Sequence, residues 1–298
     1  MTPQPIADDI RNAHDRVADT YGLAHVDGSL DKNSYDAWNL HRNVIVPLTE
    51  IVRSRFRNSF IIDAGCGNGQ IAEILQSVGG GIIIGVDFSE EMLHHASLRI
   101  QRAGLTSQVH LLQAELDRLD MIRSSVFDGG IMFGVLEHLD NPSRVIANIL
   151  RTIKPGGTFV LGVPRKGSLS YLTYVLFGES PRRWGTRTSW WDRLRFREKL
   201  HYYRFFSVRA IREILSESPK HRLVKRIPFA HAHMDGTPGF FLRWLGRKGP
   251  RGRRILDAIE SVCRCLHCIP AGEYWLLERA SDVYSPDPGK SPGSSSSS

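Results

Sequence analysis

The sequence has few cysteines and no long apolar run, and both shortages limit the kind of protein it encodes. Four cysteines among 298 residues do not suggest a disulfide scaffold. The longest apolar candidate, Tyr171–Phe177, is far shorter than the roughly 18 residues of a membrane-spanning helix. The first residues, MTPQPIADDI, are polar and acidic, so we see no secretory signal peptide. We therefore expect a cytoplasmic protein with reduced thiols.

Positive charge is concentrated in two segments. The formal net charge is +8, yet residues 165–206 hold ten Lys and Arg against three Asp and Glu, and residues 231–271 hold seven against three. The rest of the chain is slightly acidic. A hydrophobic content of 41% is ordinary for a globular protein and sufficient for a sizeable core. Any anionic partner is therefore expected to meet these two segments.

Short apolar runs alternate with helical patterns along most of the chain. This rhythm predicts an α/β fold with a doubly wound, mostly parallel seven-stranded sheet and helices on both faces. Helices are expected at about 69–78, 90–103, 115–122, 142–153 and 207–217. The candidate strands are Phe60–Asp63, Ile82–Asp87, Val109–Gln113, Phe127–Phe133, Thr158–Val163, Arg222–Pro228 and Tyr274–Glu278.

The domain organisation follows from the same pattern. We expect a helical N-terminal cap over residues 1–58 and a catalytic domain over residues 59–284. Within that domain, 165–206 and 231–271 would be basic, partly helical inserts above the ligand edge of the sheet. Residues 285–298, rich in Pro, Gly and Ser, are expected to form a disordered tail.

The stretch IIDAGCGNGQ, residues 61–70, is the clearest local signal. Glycines stand at alternate positions where the first predicted strand turns into a helix, and ligands bind at the carboxyl ends of such strands. Asp87 ends the second strand, where an acid can accept hydrogen bonds from both ribose hydroxyls. A tight turn without a ligand remains an alternative. A dehydrogenase fits less well, because its glycines follow the spacing GxGxxG.

Four motifs in order resemble those of class I S-adenosylmethionine (SAM) dependent methyltransferases. They are DAGCGNGQ, GVDFSEEML, FDGGIMFGVLEHL and IKPGGTFVLGVP. The variant is similar to the small-molecule methyltransferases that include the quinone-biosynthesis enzymes, and the match covers roughly residues 55–165. The resemblance implies a Rossmann-like methyltransferase fold and SAM as cofactor. It says little about the methyl acceptor.

The same resemblance implies a role for each matched residue. One group would surround the methionine part of SAM, namely Asp63, Ala64, Gly65, Cys66 and Gly67. Asp87 would hold the ribose. Phe88 and Met92 would flank the adenine. Ala114 and Glu115 would reach its edge. The sulfonium would lie near Phe133 and Gly134. Alternatives stay open, since Phe88 and Met92 could be core residues, and Asp63 and Asp87 could be cap or turn acids.

His138 and Glu137 are the catalytic candidates, because they follow the fourth predicted strand on the ligand side. His138 would act as general base for an acceptor that arrives protonated; alternatively, the pair only orients the next loop. Some relatives bind magnesium through a Glu-x-x-Glu-His pattern, and this chain has Gly134 at its first position. We therefore expect no metal. The segment CRCLHC, residues 263–268, lacks the two spaced pairs typical of zinc sites.

The two basic inserts have several interpretations. They could form a solvated lid, a surface that contacts anionic membrane, or a nucleic-acid surface; an anionic soluble acceptor is a further alternative. The Asn/Asp-Pro-Pro-aromatic motif of base N-methyltransferases is missing after the fourth strand, which disfavours nucleic acid. We expect methyl transfer to a small or lipophilic, lipid-like acceptor, at oxygen rather than nitrogen or carbon, with the protein cytoplasmic or peripheral at a membrane. The alternatives are a non-catalytic SAM-binding regulator or partner subunit, and an RNA methyltransferase.

Overall fold

The computed structural model describes residues 46–77, 79–168, 171, 204–229, 249–265 and 268–280. The first 45 residues of the predicted N-terminal cap lie outside this part of the chain. Most of the two basic inserts and the predicted disordered tail also lie outside it.

Seven strands form one sheet in the order β3-β2-β1-β4-β5-β7-β6. All neighbouring pairs are parallel except those that involve β7, which runs antiparallel to β5 and β6. The prediction of a doubly wound, mostly parallel seven-stranded sheet is confirmed. The strands are β1 Ile61–Ala64, β2 Ile83–Asp87, β3 Val109–Gln113, β4 Phe127–Met132, β5 Ile153–Pro164, β6 His221–Phe229 and β7 Gly272–Arg279.

Strand β5 begins five residues earlier than its sequence pattern indicated. Ile153 pairs with Phe127, and the register then shifts so that Gly129 pairs with Thr158. The segment Lys154–Gly157 has no apolar alternation, so only the pairing with β4 shows that the strand begins at Ile153. The helix before it consequently ends at Thr152.

Six α-helices accompany the sheet within the described residues. Side-chain caps define several starts: Ser89 Oγ accepts the Met92 N–H, and Asn141 Oδ1 accepts the Arg144 N–H, as expected of N-cap residues. The helix predicted at 115–122 is a 3₁₀ helix, Leu116–Met121, broken by non-helical dihedrals at Arg118. The α-helices are α1 Val46–Arg55, α2 Gln70–Ser77, α3 Glu90–Arg102, α4 Pro142–Thr152, α5 Val208–Ser216 and α6 Pro250–Cys265.

Each face of the sheet has its own apolar core. Helices α1, α2 and α3 pack on one face, where Leu48, Leu75 and Tyr274 are fully buried. Helices α4 and α5 pack on the other, together with Phe159 and Trp275. The result is a three-layer sandwich whose loops at the carboxyl ends of the parallel strands are available for a ligand. Within the ranges that the structure describes, no helix is long and apolar enough to cross a bilayer.

Candidate cofactor and active site

The strand order reverses direction at β1, and the loops of the candidate site lie there. Strand β1 pairs with β2 on one side and β4 on the other, so that Asp63 lies opposite both Gly85 and Ile131. The chain leaves β1 toward α2 and leaves β4 toward α4. The two loops therefore diverge and open a crevice at the carboxyl edge of the sheet, the usual ligand position in this kind of fold.

The three glycines of the turn after β1 all have positive φ, but their surroundings differ. A Cβ built at Gly65 (φ 76°) would clash with Val135, and one at Gly69 (φ 78°) would press on Ala96 of α3 at 3.2 Å. These two glycines allow close packing within the protein. A Cβ at Gly67 (φ 50°) would meet no described atom within 4 Å beyond its chain neighbours. Gly67 is thus the position where the turn presents bare backbone to a ligand.

Asp87 connects this turn to the tip of β2. Its Oδ2 accepts the Gly67 N–H at 2.9 Å, and its Oδ1 accepts the Ser89 N–H at 3.0 Å. The side chain is buried. A carboxylate offers about four acceptor sites, so these two bonds alone do not saturate it. Asp87 can hold this loop geometry and also accept ribose hydroxyls.

Asp63, at the end of β1, is almost completely buried, with 1% of its surface exposed. Its Oδ2 accepts no hydrogen bond from any residue that the structure describes. Burial, reinforced by the nearby charge of Asp87, raises the pKa of Asp63 to about 7. A cationic ligand group would supply the missing donors and favour the ionised carboxylate.

The remaining predicted cofactor residues divide by what they touch. The Cys66 thiol packs against Gly85, and its burial, followed by the charges of Asp63 and Asp87, raises its pKa; with Ala64, it can offer only backbone to a ligand. Met92 is buried and Phe88 is half-buried. The Ala114 N–H is bonded to the Asp87 carbonyl at 3.0 Å. Glu115 is an exposed residue whose side chain lies 3.3 Å from Arg118.

Phe133 and Gly134 follow β4 and face different surroundings. The ring of Phe133 lies among aromatic side chains, with its centroid 5.7 Å from that of Tyr274 and 6.0 Å from that of Phe229. Gly134 is exposed, has a φ of 71°, and would place a Cβ more than 4 Å from any described neighbour. Gly134 therefore leaves space at the crevice, while the Phe133 ring packs into the protein.

Glu137 and His138 lie on a short 3₁₀ turn, Leu136–His138, which begins two residues after this glycine. Glu137 is buried and His138 is half-buried. The backbone N–H of Arg204 donates to the Glu137 carbonyl at 3.2 Å, and the Arg204 guanidinium donates to the Leu139 carbonyl. The end of the first basic insert is thus attached to the loop that carries both catalytic candidates.

Two site features were missed from sequence. Val135 fills the space beside Gly65, a contact between residues that are distant along the chain. Asn68, inside the glycine turn, is buried, and its Nδ2 donates to no group in the described part of the protein. Asn68 is a polar residue between two turn glycines, and this is the one sequence signal that could have suggested a role for it in the site.

The residues at this edge fit SAM. The buried Asp63 can take the methionine ammonium, Asp87 can accept the ribose hydroxyls, and the bare backbone at Gly67 admits close approach. This sheet order and these two acids agree with the resemblance of the motifs to class I SAM-dependent methyltransferases.

Comparison with known proteins gives the same class. Residues 62–161 match the family model described as "Methyltransferase domain". This part of the chain is a methyltransferase domain of the SAM-dependent type, and the recognition of that class from the motifs is confirmed.

Two curated relatives are similar to this part of the chain. The chain is 32% identical to a ubiquinone biosynthesis O-methyltransferase from Thiobacillus denitrificans over 119 residues, which are 40% of this chain and 50% of the relative. It is also 32% identical to a demethylmenaquinone methyltransferase from Leptospira interrogans over 131 residues, 43% of this chain and 52% of the relative. The chain spans about half the length of the curated relatives it matches.

A solved structure shows the same fold over more of the chain. An S-adenosylmethionine-dependent methyltransferase from Mesorhizobium loti superposes with a TM-score of 0.52 at 17% identity, covering 78% of this chain and 96% of the other. At that identity the likeness concerns the fold alone.

Proposed function

We propose that this protein transfers a methyl group from SAM to a small, lipophilic, quinone-related acceptor, at a hydroxyl oxygen. The observation that carries the proposal is the pair of buried carboxylates, Asp63 and Asp87, on neighbouring strand tips beside the glycine turn. The acceptor class is supported by the names of the two curated relatives, each matched over about half its length.

On the cofactor side, side chains of the protein would bind SAM and orient its methyl group. Asp63 would bind the ammonium group, because Oδ2 of its buried carboxylate accepts no hydrogen bond from the described residues. Asp87 would accept the ribose hydroxyls while it holds the Gly67 N–H. When bound, SAM supplies an electrophilic methyl group on a positively charged sulfur. The half-buried Phe88 and buried Met92 would lie against the adenine.

On the acceptor side, the chain supplies position and a proton acceptor. His138 lies on the turn after β4, on the ligand edge of the sheet, and would take the hydroxyl proton as the oxygen attacks. Buried Glu137, whose carbonyl is bonded to Arg204, would hold this turn in place. Alignment of acceptor and methyl contributes up to roughly 7–11 kcal/mol in favourable cases, and general-base catalysis typically adds 10²–10⁴-fold.

Two measurements, made one after the other, test the proposal. Isothermal titration with SAM, with NAD as the control ligand, should show binding of SAM alone. Formation of S-adenosylhomocysteine should then be followed over catechols and hydroquinones, each with and without a prenyl chain and with and without a ring carboxylate. Aniline analogues are the controls for nitrogen acceptors. A protein that binds SAM but methylates none of these hydroxyl acceptors contradicts the proposed acceptor. Absence of SAM binding contradicts the proposed function as a whole.

We also propose that α6, in the second basic segment, contacts an anionic membrane surface. Arg251 and Arg254 are exposed at its start, where the positive end of the helix dipole disfavours cations. The same exposed face presents Ile255 and Val262, 49% and 55% exposed, one heptad apart. Lipid phosphates would compensate the arginines, and the apolar side chains would enter the interface.

Sedimentation with vesicles tests this contact. We expect the protein to bind phosphatidylglycerol-containing vesicles more than pure phosphatidylcholine vesicles, and less in high salt. The double variant Ile255→Ser/Val262→Ser should weaken binding, whereas Met121→Ser, a change at an exposed residue elsewhere, should not. Equal binding by all three proteins, or preference for a single-stranded RNA competitor, would contradict the membrane contact.

A further inference from the structure

Arg165 is a buried cation at the edge of the sheet where the candidate site lies. It follows the last residue of β5, Pro164, and its backbone N–H donates to the Ala271 carbonyl at 2.8 Å. The whole residue is only 7% exposed. Its Nε and Nη1 groups donate to no acceptor within the described part of the chain. Buried guanidinium nitrogens without acceptors are costly and therefore require an explanation.

Glu273 of β7 is the carboxylate that lies near Arg165 within the described part of the chain, and it is already engaged by other residues. Arg226 donates to it from Nε and Nη2, at 2.6 to 3.0 Å. The Trp275 indole N–H adds a bond of 3.1 Å to the same carboxylate. Arg165 Nε lies 3.7 Å from Glu273 Oε1, which is too long for a hydrogen bond.

The charges of this cluster do not balance. Among the residues that the structure describes, Arg165 and Arg226 share the carboxylate of Glu273, so these three side chains carry one excess positive charge. Burial lowers the pKa of Arg165, against the opposing effect of Glu273. The guanidinium nevertheless stays charged at neutral pH, since an arginine does not lose its proton in a protein. The excess charge can be neutralised by an anion that reaches Arg165.

The position of Arg165 indicates which molecule would bring that anion. Strand β5 is two strands from β1 in the sheet order, a distance of roughly 10 Å at the usual strand spacing. Asp63 and Asp87 lie on β1 and β2, at the cofactor end. Arg165 lies on the opposite side of β4, whose loop carries His138. An anion at Arg165 would therefore belong to the acceptor and not to the cofactor.

We propose that Arg165 binds an anionic group, a carboxylate or a phosphate, on the methyl acceptor. This inference rests on the proposed methyl transfer and narrows its acceptor class to lipophilic molecules with one acidic group. A planar guanidinium matches both kinds of anion through paired hydrogen bonds. Because Arg165 is buried, it suits a small group that enters the crevice better than it suits a membrane surface.

Binding measurements on the full chain, saturated with S-adenosylhomocysteine at constant ionic strength, test the assignment. The probes are benzoate and phenyl phosphate, with neutral benzamide as the matched control. We expect at least one anion to bind and benzamide not to bind. Arg165→Gln should reduce the anion affinity about ten- to a hundredfold and leave S-adenosylhomocysteine affinity unchanged. Arg222→Gln, at an exposed arginine on β6, should behave as wild type.

Several outcomes would overturn the assignment. Equal anion binding by Arg165→Gln, or no binding of either anion to a wild-type protein that binds S-adenosylhomocysteine, contradicts it directly. If Arg165→Gln folds poorly, Arg165→Lys keeps the charge without the paired donors and should weaken the anion affinity by a smaller factor; unchanged affinity in that variant also counts against the assignment. A wild-type protein that binds the anions but not S-adenosylhomocysteine contradicts the proposed function instead, and with it the acceptor role.

Discussion

The backbone N–H of Gly67 donates a 2.9 Å hydrogen bond to Oδ2 of Asp87, so the turn after β1 is attached to the tip of β2. The other oxygen of Asp87 accepts the N–H of Ser89, the residue that caps α3. A single carboxylate thus holds two loops of the candidate site. Changing it should affect both local structure and cofactor affinity.

Asp87→Asn should therefore have two measurable effects. The amide keeps one acceptor oxygen but loses the charge, and a buried donor is left without its partner. We expect stability to fall by about 1–3 kcal/mol and SAM affinity to fall about ten- to a hundredfold. Urea denaturation and isothermal titration measure the two effects. Asp120→Asn, at an exposed acid on the 3₁₀ helix, is the control, and unchanged SAM affinity in Asp87→Asn would contradict the ribose role.

Asp63 should make the stability of the ligand-free protein depend on pH. Its pKa is about 7 in the folded protein, against an ordinary value of 3.8 for an aspartate side chain, so the folded state holds a proton that the unfolded state has released. Stability is therefore expected to fall as pH rises from about 4 to about 7 and to level off above it. At about 1.4 kcal/mol per pKa unit, the effect amounts to a few kcal/mol.

The variant Asp63→Asn should remove this dependence. Denaturant midpoints measured at pH 5 and pH 8 should differ less in the variant than in the wild type, and the variant should gain stability relative to wild type at pH 8. SAM affinity should fall in the same variant, because the partner of the ammonium is lost. An identical pH profile in both proteins would rule out a raised pKa at Asp63.

Substitutions at two of the turn glycines should have different effects, one mainly on protein stability and the other mainly on SAM affinity. Gly65→Ala places a methyl group against Val135 and should destabilise the protein strongly, with part of the loss restored by the second change Val135→Ala. Gly67→Ala meets no described neighbour within 4 Å and should cost only the backbone strain of about 1–2 kcal/mol. Its main effect should be weaker SAM binding. Thermal unfolding measures the stability of the three variants, and titration measures their SAM affinity. Equal stability losses for Gly65→Ala and Gly67→Ala would contradict the different roles assigned to the two glycines.

His138→Gln tests the general base. With a hydroxyl acceptor identified, we expect turnover to fall about 10²–10⁴-fold, while the affinity for S-adenosylhomocysteine stays within twofold of wild type, or about 0.4 kcal/mol. His110→Gln, at an exposed histidine on β3, is the matched control. If both histidine variants turn over alike, His138 only orients its loop.

Much of the fold could be predicted because its signals are local. Parallel strands appear here as short apolar runs, and β1, β2 and β3 begin within one residue of their predicted positions. The extension of β5 back to Ile153 and the 3₁₀ geometry of 116–121 were not predicted. The first depends on pairing with β4, and the second on dihedrals at Arg118 that its sequence neighbourhood does not dictate.

The cofactor class and the positions of the site acids could be predicted from the sequence, but the contacts of the site side chains could not. Motif order indicated SAM and the methyltransferase class, which the comparisons confirm, and it placed Asp63 and Asp87 at neighbouring strand tips. The roles of the individual residues stay predictions. Motifs could not show that the Phe133 ring packs among aromatic residues, or that Glu115 lies exposed beside Arg118.

By itself, the sequence determined the order of strands and helices, the position of the glycine turn and the identity of the acids that end β1 and β2, because these depend on neighbours along the chain. Only the tertiary structure decided which glycine faces the crevice, how deeply Asp63 is buried and which arginine pairs with Glu273. Those properties depend on contacts between residues far apart in sequence, such as Gly65 with Val135 and Arg226 with Glu273. Burial and charge balance are set by such contacts, and they determine the pKa of Asp63 and the excess positive charge at Arg165.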